Sequence, residues 1–243
     1  MEYGIQLYSV RDLSKDSLEE ALRQVAEIGY KFVEFAGFFG HTSEEVTAML
    51  EKYGLKTSGT HTGIDPLMDN YDETVAYHKA IGNSNHIVPG VDLWTREKLD
   101  AFINKVNDVL PKLTKDGIKL GFHNHHREYK MQEEGYIPYD ELTSRTDLRL
   151  EIDTYWAYVA GKDPVEMMEQ YKDRLDFIHI KDGYANGEGM PLGMGTAPVA
   201  EVYRKAVEMG IPMVVESETC NPSGMEEARI CFAYLKKLEA ELG

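Results

Sequence analysis

Strand-like apolar runs recur eight times along the chain, near residues 3–10, 31–37, 55–62, 84–91, 118–125, 148–157, 175–181 and 212–218, with helical patterns filling most of the intervals. The helical intervals begin on recognisable caps. Ser17-x-x-Glu20, Thr42-x-x-Glu45 and Ser223-x-x-Glu226 each set a hydroxyl three residues before a carboxylate, the capping-box pattern. Gly29, Gly54 and Gly210 stand where helices should stop and the chain turns toward the next strand. Strands alternating with helices, with no Pro/Gly/Ser-rich linker, imply one domain over residues 1–243 built on a parallel sheet. Eight strands favour a closed (β/α)8 TIM barrel, and 243 residues come close to the roughly 250 such a barrel needs. No Gly-x-Gly-x-x-Gly follows the first strand, which removes the usual reason to prefer a dinucleotide-binding fold.

Composition narrows the partners. A formal net charge of −16 argues against a nucleic-acid backbone, which normally meets a basic surface. No apolar stretch approaches membrane-spanning length, and the chain opens directly into the run Tyr3 to Val10 without a signal-peptide pattern. Two cysteines, Cys220 and Cys231, are too few for a disulfide framework. The expectation is a soluble cytoplasmic protein with a small-molecule partner, no nucleic acid and no membrane, and with homo-oligomerisation left open.

Four of the runs end on a metal-type ligand. They are Leu120-Gly121-Phe122-His123, Leu150-Glu151-Ile152-Asp153, Phe177-Ile178-His179 and Val214-Val215-Glu216. In a parallel barrel the carboxyl ends of the strands converge on one mouth, where such residues can share an ion. Two imidazoles and two carboxylates suit one divalent ion of the Mn, Zn, Fe or Co type, with His123 the least secure ligand. Strand parity groups His123 with His125, Glu151 with Asp153, His179 with Lys181, and Glu216 with Glu218. Charge inside a barrel is costly unless paired or metal-bound, so these residues need an explanation. The alternative to a metal is an inward salt-bridge network, for instance Lys181 with Glu151 or Glu218.

Other positions carry weaker signals. His61 ends the third run and is equally readable as a substrate ligand, a proton carrier or a satisfied loop histidine. Of Glu34 and Phe35, neighbours on one strand, at most one points inward. Arg127 and Glu128 sit where they could meet a polyhydroxylated or anionic substrate. Tyr155 and Trp156 could form an apolar wall. His126 has the wrong parity for the site, and His41, His78 and His86 read as surface or packing residues. The glycine-rich segment 183–197 follows the seventh strand. It could cradle a phosphate with backbone N–H groups or form a flexible loop over the mouth.

Together, Gln6-Leu7-Tyr8-Ser9, Val33-Glu34-Phe35, His123-Asn124-His125, Glu151-Ile152-Asp153-Thr154-Tyr155-Trp156-Ala157, Ala160-Gly161-Lys162-Asp163-Pro164, His179-Ile180-Lys181-Asp182 and Val215-Glu216 resemble the sugar phosphate isomerase/epimerase family. These are the xylose isomerase-like TIM barrels, which also include endonuclease IV, and the likeness runs over nearly the whole chain. It implies one divalent metal held by Glu, Asp, His and Glu on the last four strands. Asp153, His179 and Glu216 match the last three, while His123 stands where the ketose epimerases carry glutamate, as in a His-Asn-His subgroup.

The implied activity is a metal-dependent sugar or sugar phosphate isomerase/epimerase acting through an enediolate. Glu216 or His123 would be the base, and Lys181 or His61 would steady the developing charge. Substrate contacts are expected from His61, Glu34, Glu128 and Trp156. Because an imidazole replaces one of the two epimerase glutamates, a lyase or dehydratase acting on a keto-inositol or 3-keto-glycoside is the runner-up. A sugar-binding barrel without turnover ranks third. Endonuclease IV-type DNA repair ranks last, since its trinuclear zinc site needs more ligands than this chain offers.

Overall fold

The structure is a computed structural model and describes residues 1–242. Eight parallel strands close into a barrel: β1 (Gly4–Gln6), β2 (Phe32–Phe35), β3 (Lys56–His61), β4 (Asn85–Val88), β5 (Lys119–His123), β6 (Arg149–Asp153), β7 (Leu175–Ile180) and β10 (Met213–Val215). Each pairs with its neighbour in sequence order, and β10 closes the ring on β1, with Gly4 beside Val214 and Ile5 beside Val215. The remaining strands, β8 (Asp182–Gly183) and β9 (Gly189–Met190), form a small antiparallel hairpin after β7. The expected closed barrel is thus the observed one. Among the described residues no helix is long and apolar enough to cross a membrane.

The strands are shorter than the apolar runs suggest, because polar side chains stop them. At β1, the Gln6 side chain accepts from Tyr8 N–H and turns residues Leu7–Val10 into a 3-10 helix. At β6, Asp153 Oδ1 accepts from Trp156 N–H at 2.8 Å, so the run continues as the helix Thr154–Val159. The helix caps follow expectation. Thr42 and Glu45 form the reciprocal box, while Ser17 and Ser223 accept from the N–H groups of Glu20 and Glu226. Gly54 and Gly210 end their helices at φ 64° and 68°, in left-handed backbone that costs a glycine little.

The helical layer buries one apolar stripe per helix against the strands. The helix Arg96–Lys115, for example, seats Leu99, Phe102, Val106 and Leu113 against Val88, Leu120 and Phe122. Between barrel and helices, His78 and His86 are packed together. His86 Nδ1 lies 3.2 Å from His78 Nε2, and Asn83 Nδ2 lies 2.8 Å from His78 Nδ1. Both are packing residues, as their sequence context indicates. Burial pushes His78 down to about 3 and His86 down to about 4. Each is therefore neutral when folded, and its unfolded form takes up a proton first. Their stabilising effect is complete above an unfolded pKa of about 6.5 and falls as pH drops toward 4. Denaturant titrations at pH 7.5 and 4.5 should show a His78→Gln/His86→Gln variant losing less stability than the parent. The difference should be on the order of a few kcal/mol.

Candidate active site

The four strand-end residues meet at the carboxyl mouth of the barrel. His123 and Asp153 end β5 and β6, His179 is next to last in β7, and Glu216 follows β10. Register aligns them: Asp153 pairs with His179, and His179 with Val214. Side chains tie the strand ends together where the ladders stop. Asn124 accepts from Asp153 N–H at 3.1 Å and donates to Asp153 C=O at 3.2 Å, and Thr154 Oγ1 donates to His179 C=O at 2.8 Å. One ligand atom from each of His123, Asp153, His179 and Glu216 lies within 4.8 Å of the others, and all four residues are buried.

Several of these atoms lack a partner. Both His123 ring nitrogens, Asp153 Oδ2 and His179 Nδ1 are buried without a hydrogen bond. His123 Nε2 is 3.5 Å from Asp153 Oδ2, and His179 Nδ1 is 3.4 Å from Glu216 Oε2. Buried polar atoms are normally satisfied, so an orphaned set of nitrogen and oxygen donors at one point fits a divalent ion. Burial holds His123 down at about 3, a neutral imidazole. It also pushes Asp153 up. Burial would raise Glu216 too, but Lys181 and His179 outweigh it and hold that carboxyl well below the usual range.

Lys181 is fully enclosed. Its Nζ pairs with Glu218, lies 3.2 Å from Glu216 Oε2 and 3.9 Å from Asp153 Oδ2, and sits 4.8 Å above the Trp156 ring. Burial works against its charge, yet these carboxylates raise it above an ordinary lysine. The salt bridge with Glu218 therefore forms, but the one with Glu151 does not. Glu151 turns instead to His61, at 2.8 Å, and to His179, at 3.2 Å.

Glu151 belongs to a lower layer. Of Glu34 and Phe35, it is Glu34 that reaches this interior, where its Oε2 is 2.7 Å from His179 Nε2 and 3.1 Å from His61 Nε2. Gly59 makes that possible: a Cβ there would come 2.7 Å from Glu34 Oε1 and 2.8 Å from Ile87 Cδ1. Gln6 donates to Glu34 Oε2 at 2.7 Å and is a site residue that sequence reasoning did not single out. Its signal was a polar residue closing a strand that is buried along its length. The His61 and His179 rings stack at 5.3 Å, and His61 and His123 stand 4.9 Å apart.

Around the rim, Trp156 lies between His125 and His126, 5.9 and 5.1 Å from their rings. Glu128 is buried and turned onto its own turn, accepting from His125 N–H at 2.9 Å, so it does not join the ligand cluster. The glycine-rich segment has the opposite character to a phosphate cradle. The buried carboxylate of Asp182 accepts from Gly183 and Ala197 N–H through Oδ1 and from Gly193 and Gly195 N–H through Oδ2. Four of its amides are thus committed to one carboxylate of the chain itself. A groove of about 650 Å³ flanks the barrel between residues 158–165 and 198–208, and none of the site side chains lines it.

A family model for the xylose isomerase-like TIM barrel matches residues 22–238. The chain belongs to that family. A sugar phosphate isomerase/epimerase from Parabacteroides distasonis ATCC 8503 is 25% identical. It superposes at a TM-score of 0.80, over 97% of this chain and 98% of that one. A probable 3-DHS dehydratase of petrobactin synthesis from Bacillus anthracis, 13% identical, shares the fold at a TM-score of 0.77 over 97% and 99%. The inosose dehydratase of Geobacillus kaustophilus (strain HTA426) is 23% identical over 189 residues. That match takes in 68% of this chain but only 61% of the relative's length. This xylose isomerase-like barrel therefore has isomerase, epimerase and dehydratase relatives.

Asp182→Asn turns a donor toward N–H groups that need an acceptor. It should destabilise the barrel by about 2–4 kcal/mol and speed amide exchange across residues 183–197, read by denaturation and mass spectrometry. Unchanged exchange there would mean that the loop is held by something else.

Proposed function

We propose that this chain is a metal-dependent isomerase or epimerase of a sugar or sugar phosphate, moving a proton on the carbon beside a carbonyl. The observation that carries this reading is the buried donor set of His123, Asp153, His179 and Glu216, in which the first three have atoms without a hydrogen-bond partner. When bound there, a divalent ion such as Mn, Zn, Fe or Co polarises the carbonyl and its neighbouring hydroxyl and so acidifies the carbon between them. The chain's own residues handle the proton and the charge. Glu216 is an ionised base, and its Oε2 lies 3.2 Å from the Lys181 ammonium, which is in reach of negative charge developing on a substrate oxygen. His123 is a neutral imidazole with both nitrogens free of hydrogen bonds, able to accept a proton as the alternative base. Trp156, with the Lys181 ammonium 4.8 Å above its ring, supplies the apolar wall for a sugar ring. Enclosed as they are, Glu34 acts on substrate indirectly, through His61 and His179, and Glu128 through the turn that carries His125.

A second reading, elimination from a keto-inositol or 3-keto-glycoside, is favoured by one feature. An ammonium beside the base is what expulsion of a β-hydroxyl needs, and the similarity to an inosose dehydratase points the same way. Both reactions begin with loss of the same proton.

The test is solvent deuterium exchange into a panel of keto-sugars and keto-inositols by the metal-loaded protein. Exchange with isomerised or epimerised product is expected, while exchange with loss of water or an aglycone would select the lyase. Absence of exchange across the panel would overturn both. Glu216→Gln should lose both metal affinity and turnover, the latter by about 10²–10⁴-fold. His123→Gln should slow exchange further than it lowers metal content, and equal losses would make His123 a ligand only.

A further inference from the structure

Beneath the strand-end ligands lies a second group of donors, to which the proposed function gives only an indirect part. Glu34 Oε2, His61 Nε2, Glu151 Oε2 and His179 Nε2 close a ring in which nitrogen and oxygen alternate. His61 is 3.1 Å from Glu34 and 2.8 Å from Glu151, and His179 is 2.7 Å from Glu34 and 3.2 Å from Glu151. Hydrogen bonding cannot satisfy this ring. Each Nε2 carries at most one hydrogen, so two hydrogens would have to serve four contacts. The carboxylates also have capacity left over, since Glu34 Oε1 and Glu151 Oε1 are buried without a partner.

A cation at the centre would use all four atoms at once. We infer that Glu34, His61, Glu151 and the Nε2 of His179 form a second divalent-cation site, one layer below the first. Two imidazoles with two carboxylates form a set suited to zinc or cobalt. Bonds of about 2.0–2.2 Å put tetrahedral ligand atoms about 3.3–3.6 Å apart, so the ring contacts, now 2.7–3.2 Å, have to lengthen by roughly 0.1–0.9 Å.

The surroundings fit a ligand layer. Gln6 Oε1 accepts from Tyr8 N–H at 2.9 Å, which fixes the amide with its NH₂ on Glu34 Oε2 at 2.7 Å. Supports of that kind orient metal-binding carboxylates. Charge fits as well. Glu34, Glu151, Asp153, Glu216 and Glu218 bring five carboxylates to these two layers, and Lys181 offsets one. Two divalent ions offset the other four. His179 serves both layers, with Nδ1 on the Glu216 side and Nε2 in the ring. Holding both ions would make it an imidazolate bridge and leave the two layers with one net negative charge.

The site does not depend on the reaction proposed above, and metal counting separates the two. After dialysis from excess Zn²⁺, elemental analysis should find two zinc ions per chain. Crystals grown with Zn²⁺ should give two anomalous peaks, one on each side of the His179 ring. His61→Leu and Glu34→Gln should each lower the count to one by removing the lower peak, and Asp153→Asn should remove the upper. A parent count of one, as an upper peak that survives His61→Leu, overturns the lower site and leaves the proposed function standing. One ion kept in Asp153→Asn but lost in His61→Leu supports the lower site and overturns the upper. The anomalous map of the parent protein decides the matter even where a variant fails to fold.

Discussion

Glu34, Glu151, Asp153 and Glu216 are each no more than 4% exposed, and the upper half of the barrel is arranged around offsetting their charge. A carboxylate taken out of water costs several kcal/mol unless a cation or donor compensates it. Here the compensation comes from one ammonium, from imidazoles and from a few neutral donors such as Gln6. Hardly any of these groups faces bulk water, so the set holds together as a unit or fails as one. The same residues that a folding argument finds expensive are those with chemical capacity. That coincidence is usual at functional sites, where stability is given up for reactivity.

Holding such a set in place requires strand ends that do not fray. The barrel ladders stop at or near the ligands, and side chains take over from there. Asn124 bridges β5 to the Asp153 backbone, Thr154 reaches across to β7, and Ser9 Oγ accepts from Ser217 N–H at 3.0 Å. Behind Glu216, the buried Glu227 on the last helix accepts from Ser217 Oγ at 2.6 Å, from Thr219 and from Asn221 N–H. Each side chain takes up a backbone or hydroxyl group that would otherwise be left unpaired at a barrel rim. The loops bearing the site are thereby tied to the rigid scaffold.

Much of this was legible in the sequence, because it depended on periodicity. Alternating runs and caps identify the barrel, and parity on four strand ends brings His123, Asp153, His179 and Glu216 to one mouth. What escaped were features set by tertiary distance. Whether Glu34 or Phe35 faces inward is decided by a register shift between Val33 and Glu34 and by the space left at Gly59. The partner of Glu151 is an imidazole from β3, which no local pattern links to β6. Helix caps hidden inside apolar runs, at Gln6 and Asp153, shortened two strands. The glycines of residues 183–197 advertise free amides, and only the fold reveals that Asp182 has claimed those of Gly183, Gly193 and Gly195.

That last arrangement bears on how a ligand would be received. A glycine-rich loop ordinarily loses much conformational entropy when it closes on its guest, and affinity falls by that amount. Here the loop is already knotted around the Asp182 carboxylate before any guest arrives, so the ordering has been settled during folding. Binding at this mouth should then have the calorimetric character of docking into a finished wall. Its heat-capacity change should reflect the surface covered, without the larger decrement of a segment that folds on contact.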